Sequence, residues 1–373
     1  MRQDRFGILS SGHWWRFLLG AFICPSLFTV MQAAEIAPVR NAEGNAPEIV
    51  IAIKDVCAWP NLTQMPDGTI IATIHNQPSH LELPSDVDCW ATTDQGKTWA
   101  KRGTPAPRDN ETVARGNVAA GVDRNGHLIV IASGWSDPAA AKGHGVILPP
   151  LVSRSNDGGK TWEISRQGFP DDGARQDKAQ RRNSPEGYLV PFGDILPGKD
   201  GTLRVCMYSG VAGATYVYRS EDDGRTWKDP VQVDPDAIVL EPAFIHLGNG
   251  KWLLASRFKG LEVYTSTDDG RTWGKGKRLS DPNSEPGHFL VLKDGRVVLT
   301  YGNRNTPKGV DVRISSDQGQ TWSEPRRVSK FNGDGGYPTS VELPDGQVLT
   351  AYYASQTDGF KGYHMGTVTW SPK

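Results

Sequence analysis

Short runs in which apolar and polar residues alternate fill the chain, as in "NLTQMPDGTIIATI" (residues 61–74) and "SVELPDGQVLTAYY" (residues 340–353). Alternation with a period of two is the mark of strands with one buried face. No stretch sustains an apolar period of 3.6, so little helix is expected. Six Asp-Gly or Asn-Gly pairs interrupt the runs: Asp67-Gly68, Asn125-Gly126, Asp200-Gly201, Asn249-Gly250, Asp294-Gly295 and Asp345-Gly346. Both residue types tolerate positive φ, so each pair predicts a hairpin.

A second repeat interleaves with the hairpins. "DDGRTW" stands at residues 222–227 and again at 268–273, with near-copies at 93–99, 156–162 and 316–322. Five of the six hairpins are thus followed by one Asp-x-Gly-x-Thr-Trp box. The Asp is suited to accept N–H groups of its own turn, the Gly to supply an unusual φ, and the Trp to pack between sheets. The boxes are expected to be turn staples and not calcium or ligand sites. Hairpin, third strand, box and fourth strand give a unit repeating every 45 to 75 residues. Six such units predict an all-β fold, a six-bladed β-propeller of four-stranded antiparallel blades. The last unit lacks a box, and "APEIVIAIK" (residues 46–54) is the strand expected to close it.

The charge balance, 41 basic against 42 acidic side chains in 373 residues, provides no basic face for nucleic acid or an anionic membrane. Arg2, Arg5 and Arg16 precede an apolar run over residues 17–31, followed by Ala33 and Ala34. This reads as an export signal over residues 1–34, too short for a membrane span of about 20 residues. An uncleaved anchor is the rival, and Ile23 before Cys24 argues against a lipid anchor. Residues 35–373 then form one exported domain, expected to be a monomer in the periplasm or outside the cell. Cys57, Cys89 and Cys206 form no even set and no CxxC, so buried free thiols are expected, with no metal and no cofactor.

The hairpin turns also act as a ruler. Glu241 lies eight residues before Asn249, and Tyr337 lies eight before Asp345. Arg257 lies eight after Asn249, and His75 eight after Asp67. Glu241, Arg257 and Tyr337 should therefore converge on one mouth of the axis, with His75 lining it. Arg115 enters the inner strand of the second unit. The polar connection over residues 170–188 reads first as a solvated loop; the alternative is a lid over the mouth, with Glu186 its candidate site residue.

The boxes, their placement and the six hairpins resemble the sialidase (neuraminidase) superfamily, over residues 46–370. Boxes specify a fold and not a chemistry. "EPAFIHLGNGKWLLASR" (residues 241–257) is similar to the family segment in which a Glu precedes an Arg by this interval, and "GYPTSVELPDGQVLTAYY" (residues 336–353) to the segment carrying a nucleophilic Tyr. The resemblance implies Tyr337 as nucleophile, activated by Glu241. A neutral hydroxyl suits an anomeric carbon that bears a carboxylate, because an anionic nucleophile would be repelled.

Two departures stand beside these matches. Ala58 in "CAWP" occupies the place of the family's first carboxylate-binding Arg, and His80 that of its acid/base Asp. Glu82 and Asp86 are rival acids. The third family Arg falls near Lys308, with Arg304 close by. Arg115, Arg257 and Arg304 are therefore the candidate anion clamp. The expected activity is a sialidase-like glycoside hydrolysis on a terminal acidic sugar, sialic or uronic, of a glycan. A uronic-acid polysaccharide lyase and a non-catalytic carbohydrate-binding domain are the alternatives.

Overall fold

The computed structural model describes residues 36–80, 82–136, 146–170, 188–210 and 212–373, and among them there is no helix. Among the described residues, twenty-four strands follow one another in antiparallel sets of four. Four sets are separate sheets; the other two merge into an eight-stranded sheet. The merger is a parallel pairing, β6 (Val113–Val122) against β10 (Val190–Pro197). The last set is closed from the start of the chain, as the alternation over residues 46–54 predicts. Strand β1 (Ile49–Lys54) pairs with β24 (His364–Trp370), with Ile49 opposite Val368.

The first strands of the six sets lie side by side. They are β2 (Asn61–Gln64), β6, β10, β14 (Ala243–His246), β18 (Ser284–Val291) and β22 (Gly335–Glu342). Each contacts the next, and β22 contacts β2, so the series closes into a ring. Apolar side chains fill the space between consecutive sheets. Ile71, Val87 and Cys89 pack with Leu128, Val130 and Ala132 of the following set. Val298 and Val310 pack with Val348, Tyr352 and Trp370 in the same way. Cys57, Cys89 and Cys206 are buried free thiols.

A hairpin stands at each of the six pairs. In five of the six, only the glycine is left-handed; Asn249 alone joins its glycine there, at φ 53°. At the first turn Gly68 donates to Met65 O and Met65 N to Thr69 O. Gly68 itself sits at φ 86°. This is a type I turn with a glycine bulge. Asp67 stays out of the left-handed region because its Oδ1 accepts the Thr69 N–H at 2.9 Å.

The boxes repeat one hydrogen-bond pattern five times. In the first, Asp94 Oδ1 accepts Thr98 N–H (2.9 Å) and Oδ2 accepts Thr98 Oγ1–H (2.6 Å). Thr92 Oγ1 donates to Asp94 and accepts Gly96 N–H. The residue two before the box Asp is Thr92, Ser155, Ser220, Ser266 or Ser315, and each makes this bridge. Each box has two successive left-handed residues, such as Asp223 at φ 57° and Gly224 at φ 79°. In four of the five boxes the glycine also meets the preceding set: a Cβ on Gly224 would lie 2.4 Å from Ile129 Cδ1. Boxes therefore join one sheet to its neighbour as well as tightening their own turn.

Candidate active site

The mouth is built by one register position used six times. Trp59, Asn117, Phe192, Glu241, Pro286 and Tyr337 each stand eight residues before the Asp or Asn of their hairpin turn. Four of them are left-handed: Trp59 (φ 59°), Asn117 (φ 49°), Glu241 (φ 41°) and Tyr337 (φ 52°). Non-glycine residues in this region cost on the order of 1–3 kcal/mol each. In the third set the left-handed residue is displaced by one, to Gly193. The ladder slips at this level, between Gly116 and Val118, Phe192 and Ile195, and Gly336 and Thr339. A bulge breaks the in–out alternation and re-aims the side chain at the break.

Tyr337, Glu241 and Arg257 meet there, as the ruler predicts. Tyr337 Oη donates to Glu241 Oε2 at 2.8 Å. Arg257 Nη1 donates to both Glu241 oxygens at 2.8 Å and to Tyr337 Oη at 3.1 Å. Tyr337 is 6% exposed. Burial, and next the Glu241 charge, push its hydroxyl far above the ordinary tyrosine range, against the pull of Arg257. The hydroxyl is thus neutral at rest, with its proton already directed at a carboxylate oxygen. The Arg304 guanidinium lies over the Tyr337 ring, 5.7 Å from its centroid. Arg257 therefore holds the hydroxyl while Arg304 covers the ring.

Next to this group stands His80, which shares Trp59 as a neighbour with Tyr337. Its Nε2 is 3.1 Å from Tyr353 Oη and 3.4 Å from Asp334 Oδ2. Tyr353 and Tyr363 both donate to Asp334 Oδ2, at 3.1 and 3.3 Å. Arg304 Nη2 lies 3.9 Å from the other Asp334 oxygen. Burial lowers the His80 pKa, Asp334 pulls it back up, and Arg304 pushes it down. Burial, then Asp334, raises the Tyr363 hydroxyl to about 12. Trp59 touches His80 and Tyr337, with ring centroids 5.6 and 5.9 Å away. Phe192 meets Tyr337 at 6.0 Å. The result is an aromatic cup around two carboxylates, two arginines and one imidazole.

Trp59, Asp334, Tyr353 and Tyr363 are absent from the sequence reading. Trp59 shares the register of Glu241 and Tyr337, so the ruler applied to every turn finds it. Asp334 carries no such signal, because it lies in the connection before β22, outside the strand positions that the turns measure.

Other candidates fall elsewhere. Arg115 does not join the clamp: its side chain is fully buried, paired with Asp109 and directed at Pro149 O. An arginine on a closed strand interior needs a local carboxylate, and Asp109 is within reach. His75 is 2% exposed and its Nδ1 is 2.9 Å from Arg115 O, so it packs behind the mouth and does not line it. Asp86 is committed to Arg108, at 2.8 Å to Nη1 and 2.7 Å to the backbone N–H. Glu82 is exposed. Lys308 Nζ bonds to Gly333 O. Glu186 and residues 1–34 lie outside the described residues. Ala58 is buried, at φ 49°. Among the described residues no cluster of His, Cys, Asp and Glu has the form of a metal site. Nor is any helix there long and apolar enough to cross a membrane. A cavity of about 650 Å³ opens at the hairpin-turn end, and none of the six mouth residues lines it.

Comparison with known proteins follows the same lines. Residues 56–349 match the family described as "BNR repeat-like domain". A sialidase of Micromonospora viridifaciens is 28% identical over 215 residues, 53% of this chain and 32% of its own length. The match thus spans about a third of that relative. A Dyadobacter fermentans protein of unknown function has a similar structure, with TM-score 0.73 and 22% identity over 90% of this chain and all of its own. The sialidase of Trypanosoma rangeli superposes with TM-score 0.62 and 18% identity, over 90% of this chain and 58% of its own. At these identities the structural likeness is one of fold.

Proposed function

The chain belongs to the family of BNR repeat-like domains, and on that premise we propose that it is an exported, sialidase-like glycoside hydrolase. The closed ring of six four-stranded sets supports reading the domain, residues 35–373, as a six-bladed β-propeller. The N-terminal charge and apolar pattern supports export through residues 1–34. The enzyme acts as a monomer on a terminal acidic sugar of a glycan. The observation that carries the reading is the 2.8 Å contact from Tyr337 Oη to Glu241 Oε2, with Arg257 bonded to both and Arg304 over the Tyr337 ring.

In the first step Tyr337 Oη attacks the anomeric carbon as its proton passes to Glu241, and the glycosidic C–O bond breaks. A proton from His80 goes to the leaving oxygen. In the second step water attacks the same carbon and gives a proton to His80. The Tyr337 oxygen departs and regains its proton from Glu241. Arg257 holds the Glu241 carboxylate in line with the hydroxyl. Together with Arg304 it offers positive charge to the sugar carboxylate. Two arginines serve where three are expected, since Arg115 is occupied elsewhere.

Activated aryl glycosides of sialic and uronic acids test this. Tyr337→Phe keeps the ring and removes the reacting oxygen. Turnover should fall at least ~100-fold, about 2.7 kcal/mol, with the melting temperature unchanged. Near-normal turnover would exclude the nucleophile. Binding without turnover by the wild type would mark a binding domain, and an unsaturated, ultraviolet-absorbing product a lyase.

A further inference from the structure

We propose that His80 and Asp334 act as a pair: Asp334, directly and through Tyr353, fixes a proton on His80 Nε2 and stabilises the imidazolium, so that Nδ1 handles the proton of the leaving group and of water. The hydrogen-bond geometry carries this. Tyr353 Oη spends its only proton on Asp334 Oδ2, at 3.1 Å. Toward His80, 3.1 Å away, it can then only accept. The Nε2 atom must therefore be the protonated nitrogen, which leaves the lone pair of the neutral ring on Nδ1. Asp334 Oδ2, 3.4 Å from the same Nε2, adds a negative charge beside the ring. Tyr363 supplies a second hydroxyl to Asp334 Oδ2 and holds the carboxylate in place.

The pair makes chemical sense of the position. A lone carboxylic acid needs no partner to protonate a leaving oxygen. An imidazole half-buried among Trp59, Tyr353 and Tyr363 does, because burial disfavours its charged form. The charged groups facing it are Asp334, Glu241 and Arg304, with His75 from its own sheet behind it. Asp334 is the nearest anion and opposes Arg304. It is a positioning residue, since it reaches the reaction through His80.

This inference rests on the glycoside-hydrolase reading for the proton-transfer step, but the pairing itself has a readout that needs no turnover. In full-length protein with 15N-labelled histidine, the ring signals of His80 are titrated in wild type and in Asp334→Asn. Loss of the negative charge should lower the His80 pKa by about one unit. The second readout is kcat/KM against pH for alkyl and aryl glycosides of one acidic sugar. The alkyl leaving group requires the acid, so its rate is present below the His80 pKa and lost above it. In Asp334→Asn that limb should move to lower pH, and the alkyl rate should fall at least ~10-fold more than the aryl rate. Tyr353→Phe removes the hydroxyl between the pair. Should Asp334→Asn fail to fold, this variant should show the same preferential loss on the alkyl substrate. An unchanged His80 titration in Asp334→Asn, or equal losses on alkyl and aryl substrates, would overturn the pair. A lowered titration in a protein that turns over no glycoside would leave the pairing standing and remove the hydrolase reading, and with it the proton-transfer step.

Discussion

The boxes and the mouth both occupy repeated positions, and they use repetition in opposite ways. At the boxes the same residues make the same bonds five times, from Asp94 and Thr98 to Asp317 and Thr321. At the mouth the backbone is what repeats, with left-handed residues at Trp59, Asn117, Glu241 and Tyr337, while the side chains all differ. Repeated side chains carry stability, because each box is a local solution to the same turn and the same sheet contact. Varied side chains on a repeated backbone build a site, because equivalent positions bring the different groups of Trp59, Phe192, Glu241 and Tyr337 together. Strain divides the same way. In the boxes it is relieved by local N–H bonds to the Asp; at the mouth it falls on the side chains that converge on one another.

The largest expected separation between the two regions comes from Trp227, which is 0% exposed and stacks against Phe169. Trp227→Ala should cost about 3–5 kcal/mol in unfolding free energy and leave KM unchanged. Asp222→Ala removes the acceptor for Thr226 N–H and for the Ser220 and Thr226 hydroxyls, and should cost about 1–3 kcal/mol. Denaturant melts alongside steady-state kinetics check both. A box variant that folds with full stability but loses substrate would break the division of labour.

A smaller effect should appear with acid. Hydrogen bonds from the Thr98 and Thr92 hydroxyls, with the Thr98 N–H, hold Asp94 down to about 2, from 3.8. The Thr321 hydroxyl and N–H, with Ser315, do the same for Asp317. The folded values lie below the unfolded ones. Their contribution is thus complete above about pH 4 and is lost as pH falls toward 2. Thermal melts over that window should show a falling midpoint in the wild type. Asp94→Asn combined with Asp317→Asn should flatten the fall.

Much of this contrast is legible in the sequence. Alternation and the Asp-Gly turns give the all-β sets, their order and the closing strand, because strand patterning is local. The ruler places Glu241, Arg257 and Tyr337 together, because equivalent offsets on equivalent strands reach equivalent places. Arg115 shows where this stops: the offset brings it near the axis, but Asp109 captures its charge. Asp334 shows the converse, since its value comes from Tyr353 and Tyr363 of the last set and from His80, which the closed ring brings beside them. The Ser or Thr two before each box is visible in the chain as a repeat, and only the bonds reveal its use.

The central claim is that the varied mouth performs covalent chemistry through Tyr337. A fluorinated sialosyl or uronosyl donor with a good leaving group slows the second step, so peptide mass spectrometry of the treated wild-type protein tests it most directly. The account predicts one added sugar on the peptide containing Tyr337, absent from Tyr337→Phe. Turnover of the unfluorinated donor with no sugar on that peptide would contradict it.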